Sequence, residues 1–323
     1  MPMIGMGTCC RRDPKGRREF ISALEAFYAT GGSHIDTAQS YDNHADVKQA
    51  LSAMERDQVW VTSKVNMLAV TSHKTADQQV RAAVESSLIE LGVDQVDLML
   101  LHEPACENNW QREAAEASKQ LLAATKGAAN SSAVVVDDGI NVAAASRCTV
   151  EAWRALVKQQ HSGKCRAVGV SNFGVRHLSA LLGAGLPLPA VNEVEFHPWV
   201  SHEQYRLVEW CHRHRVAVTA FGSFGSSRRV KRGNALEVPA VVAEAARVRG
   251  VSAHEILLAW TLQQNISVIP QTNSLAHMRS NLAVHEIRLT GSEIKQISTL
   301  GGSAYPKDWK EYGKIIHKLT VKP

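Results

Sequence analysis

Apolar positions along the chain follow two alternating periods. Short β-rich runs predict strands at Met3–Met6, Ser33–Thr37, Val59–Val65, Val96–Leu101, Ala167–Val170, Val191–Phe196, Val216–Ala220 and Ser267–Ile269. Between them lie longer segments of helical period. Arg18–Thr30 spaces Phe20, Leu24 and Phe27 by three and four residues, and Thr75–Leu91 lines up Val80, Val84, Leu88 and Leu91 before Gly92 stops it. Val150–Gln160, Gln204–His214, Ala240–Val248 and Ala253–Gln263 read the same way. This alternation predicts an α/β fold of class (β/α)8, a TIM barrel formed as a single domain over residues 1–323. A doubly wound sheet is the competing architecture. Its dinucleotide-binding form needs a glycine-rich turn leading into a helix, whereas Gly5-Met-Gly-Thr has no third glycine and runs into a charged loop.

One segment breaks the rhythm. Residues 105–149, after the fourth strand, are rich in alanine, asparagine and serine, so a long loop insertion is expected, partly disordered for want of large apolar side chains. Gln111–Thr125 is its one candidate surface helix.

Composition narrows the class without naming a chemistry. Of 323 residues, 45% are hydrophobic and 21% charged, enough apolar content for a substantial core. The formal charge of +5 comes from scattered basic residues, so no nucleic-acid partner is expected. No run approaches the length of a membrane span and no secretory leader is legible, so no membrane partner is expected either. A cytoplasmic monomer is the expectation. The six cysteines show no CxxC spacing and are expected to be reduced thiols.

In barrels of this class chemistry gathers at the carboxyl ends of the strands. Asp36 ends the second predicted strand, Lys64 the third, and His102 follows the fourth, with Tyr41 in the loop after Asp36. Singly, each residue is as well explained by a turn cap, an ion pair, a core imidazole or packing. Together, on three consecutive strands, they suit proton delivery to a carbonyl oxygen. An ammonium at Lys64 lowers the pKa of the Tyr41 phenol, Asp36 holds the ammonium, and a neutral His102 orients the substrate oxygen.

These residues and their flanks resemble the aldo-keto reductase superfamily. The resemblance is carried by Gly5-Met-Gly-Thr8, Asp36-Thr-Ala-Gln-Ser-Tyr41, Thr62-Ser-Lys64, Leu101-His-Glu-Pro104, Gly163-Lys-Cys-Arg-Ala-Val-Gly-Val-Ser-Asn-Phe173, Pro189-Ala-Val-Asn-Glu-Val-Glu-Phe-His-Pro198 and Ile269-Pro-Gln-Thr-Asn273. It implies an NADP(H)-dependent oxidoreductase that reduces an aldehyde or ketone to an alcohol, with the hydride from the nicotinamide and the proton from Tyr41. It also implies that Ser171 and Asn172 hold the carboxamide, with Glu193 in the position usually given to glutamine. Phe221 then stacks on the nicotinamide in place of the usual tyrosine. Phe224 and Ser226 join the cofactor contacts after the seventh strand, and Thr272, Asn273, His277 and Asn281 serve the adenosine end.

The departures from the family pattern carry expectations of their own. An ionised Glu193 accepts from a carboxamide but cannot donate to it. Gln271 and His277 replace a phosphate-gripping lysine and arginine, while the basic run Arg228-Arg-Val-Lys-Arg232 offers other cations. Relaxed cofactor use follows, NADP(H) favoured and NAD(H) accepted. Cys9, Asn66 and Glu103 stand where many members place tryptophans, which implies a wider and more polar pocket for a small-molecule carbonyl substrate. Tyr305–Trp309 either covers that pocket or simply packs on the barrel. Because Met1 stands almost on the first strand, the family's barrel-closing hairpin is expected to be missing, leaving an open floor or a start further upstream.

Two other functions compete. A metal-dependent hydrolase would use His34, Asp36, His102, Glu195 and His197; no metal is expected, because the first strand lacks paired histidines. A cofactor-binding regulatory module with little turnover is the third reading, and no residue pattern favours it.

Overall fold

Parallel strands buried on both faces need apolar runs, and Val96–Leu101 is one but for Asp97, which pairs with Arg56 and Arg166; all six residues are buried. The computed structural model describes residues 1–9, 14–67, 70, 72–105, 135–136, 140–141, 147–225 and 238–301. In it eight strands pair in parallel, each beside the next: β1 (Met6–Gly7), β2 (His34–Asp36), β3 (Trp60–Val65), β4 (Val96–Leu101), β7 (Cys165–Ser171), β8 (Val191–Glu195), β9 (Ala217–Phe221) and β10 (Ile266–Val268). β5 (Val135–Val136) and β6 (Ile140–Asn141) form a separate antiparallel hairpin inside the insertion. The barrel closes where the segment before β1 meets β10. Gly5 N donates to Val268 O at 2.8 Å and Val268 N donates to Met3 O at 2.9 Å.

Helices fill the crossovers: α1 (Pro14–Ala29), α2 (His44–Leu51), α3 (Ala76–Leu91), α4 (Arg147–His161), α5 (Val175–Gly183), α6 (His202–Arg213), α7 (Ala240–Arg249), α8 (Ala253–Leu262), α9 (Leu275–Ala283) and α10 (Gly291–Ser298). Six of them are the predicted helices, with ends moved by a few residues. The helix α3 stops where expected, since Gly92 adopts φ 66° and its N–H returns to Ile89 and Leu88. α2, α5, α9 and α10 are additional. Two of the additional helices open on a side-chain cap, Ser274 for α9 and Thr290 with Glu293 for α10.

The main core lies between strands and helices. Trp153, Trp260, Phe20, Phe173 and Phe196 are wholly buried, and Trp260 stacks on Phe196 with centroids 5.4 Å apart. A smaller cluster of Leu98, Leu100 and Val191 is separate from it. Gly169 on β7 belongs to this tight region, because a Cβ there would stand 2.6 Å from Val191 O and 2.7 Å from a Leu100 methyl.

The insertion follows Ala105, and α4 comes after it. Thr149 Oγ1 donates to Ala105 O at 3.1 Å, which ties the two ends together. The candidate helix Gln111–Thr125 and most of the insertion fall outside the described residues, as do Ser226, Arg228–Arg232 and Tyr305–Trp309. The expectation of reduced cysteines holds for Cys165 and Cys211, which are buried free thiols. It is corrected at Cys9 and Cys148, which are disulfide-bonded. No helix among the described residues is long and apolar enough to cross a membrane.

Candidate active site

Alternation along β2 and β3 turns His34 and Asp36, and Thr62 and Lys64, towards one another in two polar layers. In the lower layer His34 Nε2 meets Thr62 Oγ1 at 3.0 Å. Burial holds this imidazole neutral, its pKa pulled down to about 4. In the upper layer Lys64, with no exposed surface, donates to Asp36 Oδ1 at 2.5 Å and to Thr37 O at 3.1 Å. It also reaches Tyr41 Oη at 3.4 Å and Glu193 Oε1 at 3.3 Å. Burial alone would strip its proton. Asp36, and then Glu193, outweigh that penalty and raise the pKa above the ordinary lysine value.

Tyr41 ends a short 3-10 turn, Gln39–Tyr41, closed by Asp42 in the left-handed region at φ 54°. Gln39 anchors the turn, donating to Ala83 O and accepting from Asn66 N, both at 3.0 Å. Behind it Thr37, Asn43 and Thr8 form a buried chain of hydrogen bonds at 2.8 Å each. The phenol therefore arrives at Lys64 on a rigid support. The expected lowering of its pKa is not the net result. Burial disfavours the phenolate more than Lys64 favours it, and Asp36 and Glu193 add to the rise, so Tyr41 keeps its proton more firmly than a free phenol.

His102 follows β4 and is pinned through its backbone N–H to Val65 O at 3.2 Å. Its Nδ1 lies 3.2 Å from Ser40 Oγ, and its ring meets Tyr41 edge to face with centroids 5.5 Å apart. Burial, helped by the Lys64 charge, lowers its pKa to about 3, so the imidazole is neutral at physiological pH. The structure thus brings all four sequence-predicted catalytic candidates together.

The next group stands beside them. In the β7–β8 register Ser171 lies against Glu193, and Ser171 Oγ donates to Glu193 O at 3.0 Å. Asn172 adopts φ 62°, a left-handed conformation tolerated by asparagine. From it the amide nitrogen reaches His102 O at 2.9 Å and Ser171 Oγ at 3.1 Å. Sequence reasoning placed Glu193 here but missed its contact with Lys64. The readable signal was the alternation Asn192-Glu193-Val194-Glu195, which puts an acid at the same barrel height as Asp36. Burial first, then the neighbouring Asp36, pushes the Glu193 carboxyl up from its ordinary value.

The remaining candidates lie further out. Phe221 ends β9, half-buried, and Phe224 meets His254 edge to face with centroids 4.8 Å apart. Thr272 Oγ1 caps Ser274 N at 3.0 Å and approaches His277 Nδ1 at 3.5 Å. Asn273 and His277 are exposed and Asn281 is half-buried, all flanking or within α9. Gln271 donates to Cys9 O at 2.8 Å, so its amide is spent joining the two loops. Cys9, Asn66 and Glu103 stand just past β1, β3 and β4, each half-buried. The hydrolase ligands are not gathered. His34 sits in the lower layer, His197 pairs with Glu195 at 3.3 Å, and no three His, Cys, Asp or Glu side chains among the described residues converge on a metal position.

Comparisons with known proteins agree with this geometry. Residues 3–301 match the aldo/keto reductase family. The aldo-keto reductase family 1 member A1 of Pongo abelii is 30% identical, over 99% of this chain and 90% of its own. The 9,11-endoperoxide prostaglandin H2 reductase of Trypanosoma cruzi is 28% identical, over 93% of this chain and 88% of its own. Among solved structures, an aldo/keto reductase from Brucella melitensis superposes with a TM-score of 0.70 at 25% identity, covering 93% of this chain and 95% of its own. A Bombyx mori aldo-keto reductase in complex with NADP shares the fold, with a TM-score of 0.74 at 22% identity, covering 97% of this chain and 93% of its own. With its four polar groups converging at the carboxyl end of a closed parallel barrel, the chain belongs to the aldo/keto reductase family.

Proposed function

We propose that the protein reduces an aldehyde or ketone to an alcohol with NADP(H), Tyr41 giving the proton to the carbonyl oxygen. The observation that carries this reading is Tyr41 Oη at 3.4 Å from a fully buried Lys64 that Asp36 holds at 2.5 Å. Bound reduced nicotinamide supplies the hydride. The protein does the rest. Tyr41 enters the reaction protonated, as a general acid must. Losing its proton leaves a phenolate beside the Lys64 ammonium, which offsets part of the cost of burying that charge. With Ser40 on Nδ1, His102 keeps Nε2 for the substrate oxygen, and its neutrality lets it donate without competing for the proton.

The residues present fit a nicotinamide carboxamide, which both donates and accepts. Ser171 and Asn172 are groups of that kind, and Glu193 beside them offers an acceptor oxygen. Phe221 offers an aromatic face at the end of the neighbouring strand. At the adenosine end Thr272, Asn273, His277 and Asn281 supply hydroxyl, amide and imidazole groups without a fixed cation, which supports relaxed cofactor use. Half-buried Asn66 and Glu103 support a small polar carbonyl substrate, while Cys9, held in a disulfide, adds no polar group. Replacement of Tyr41 by Phe tests the assignment. Reduction of a reactive aldehyde falls by about 10²–10⁴-fold while cofactor affinity stays; turnover within threefold of the parent would sink the mechanism.

A further inference from the structure

Two acids and one ammonium share a space closed to solvent. Lys64 Nζ stands 2.5 Å from Asp36 Oδ1 and 3.3 Å from Glu193 Oε1, and all three side chains are at most 4% exposed. The second carboxylate oxygen, Asp36 Oδ2, is buried without a donor. Such an atom calls for a partner. The neighbouring polar group is the Glu193 carboxyl, which shares the Lys64 ammonium with Asp36 and so lies beside it. Two carboxylates cannot hydrogen-bond to each other, but a carboxylic acid and a carboxylate can.

We propose that Glu193 is a neutral carboxylic acid donating its proton to Asp36 Oδ2, and that loss of this proton tilts the site from reduced towards oxidised nicotinamide. The proton belongs to Glu193 because Asp36 holds the shorter bond to Lys64. The groups facing Glu193 are few. β2 brings Asp36, β3 brings Lys64 and the turn after β2 brings Tyr41. The flanking strands give only hydroxyls: Ser171 on β7, and Thr219 on β9, itself bonded to Ser267 of β10 at 2.7 Å. His34, one layer below, is neutral. With Glu193 protonated, Lys64 and Asp36 balance one to one. Ionised, Glu193 adds an uncompensated negative charge. Oxidised nicotinamide is a cation and reduced nicotinamide is neutral, so that charge favours the oxidised form. The cofactor half of the inference rests on the function proposed above; the position of the proton does not.

The two halves have separate tests. In the cofactor-free protein, infrared difference spectroscopy of the parent against Glu193→Gln at neutral pH should show the carbonyl stretch of one buried carboxylic acid, absent from the variant. No such band in the parent would overturn the proton assignment. Should the variant not fold, urea denaturation of the parent against pH decides the same point. A carboxyl with a raised folded pKa binds a proton on folding. Its contribution is therefore whole below the unfolded value of 4.5 and declines as pH climbs towards the folded value. A parent whose stability does not decline in that range would overturn the assignment. Fluorescence titration with NADPH and NADP+ between about pH 6 and 9 tests the second half. The ratio of their Kd values should move about tenfold towards NADP+ in the parent as pH rises and stay constant in Glu193→Gln. Parallel ratios in the two proteins would overturn it. A protein that binds neither dinucleotide would refute the functional reading and the tilt while the infrared band still decided where the proton lies.

Discussion

Replacing Lys64 by Met removes the one cation from a buried acidic pair while keeping most of the side-chain volume. At the 2.5 Å separation from Asp36 the Coulomb attraction is about 7 kcal/mol with an effective dielectric constant of about 20. Removing the ammonium recovers several kcal/mol of its desolvation penalty, so the net loss of stability falls in the range of about 3–5 kcal/mol measured for broken buried pairs. The loss depends on pH, and its sign is fixed. Without Lys64, Asp36 and Glu193 prefer to be protonated in the folded state and ionise freely in the unfolded one. Their folded pKa values then lie above the unfolded values, so the variant binds protons on folding and weakens as pH rises. The slope is about 1.4 kcal/mol per pH unit for each proton bound. Urea denaturation at acid, neutral and alkaline pH reads this directly, with the deficit against the parent smallest in acid. A deficit that is the same at all three would show that lost packing, not a stranded charge, accounts for the change.

Two other outcomes follow from the geometry. Gly169→Ala forces a methyl against Val191 O and the Leu100 side chain, both at less than contact distance, and should cost about 1–3 kcal/mol in thermal or urea denaturation; an unchanged melting temperature would show that β7 and β8 can part freely there. The kcat/KM ratio for NADPH over NADH should stay below a hundredfold, because Gln271 is turned to Cys9 O and His277 offers no fixed charge; a larger preference in either direction would reject relaxed use.

The strands were legible because a parallel barrel needs apolar runs whatever its function; seven fall within two residues of their predicted bounds, while β1 overlaps its prediction only at Met6. The helices that escaped notice are short. α5 spans Val175–Gly183 and α10 spans Gly291–Ser298, too brief for their stripes to stand out. The capping pair Thr290 and Glu293 was a readable start signal for α10 that apolar spacing alone passed over. At the site, Asp36, Lys64 and His102 were visible because each stands at the carboxyl end of a predicted strand, where this fold gathers its chemistry. The Lys64–Glu193 contact was not, since it spans the barrel from β3 to β8 and no local spacing encodes it. Nor was the balance at Tyr41: burial and charge act in opposite directions, and a sequence shows only that the charge is there.

The bond from Thr149 to Ala105 has a consequence for how this barrel can vary. It holds together the exit and return of a long excursion, so the path between them is a closed loop hung from a fixed gate. Lengthening such a loop is thermodynamically mild, about 0.6 kcal/mol per doubling. His102, three residues before the gate, is held by Val65, Ser40 and Asn172, all outside the excursion. Selection can therefore trim, extend or exchange the excursion as a cassette while the histidine beside it stays in register.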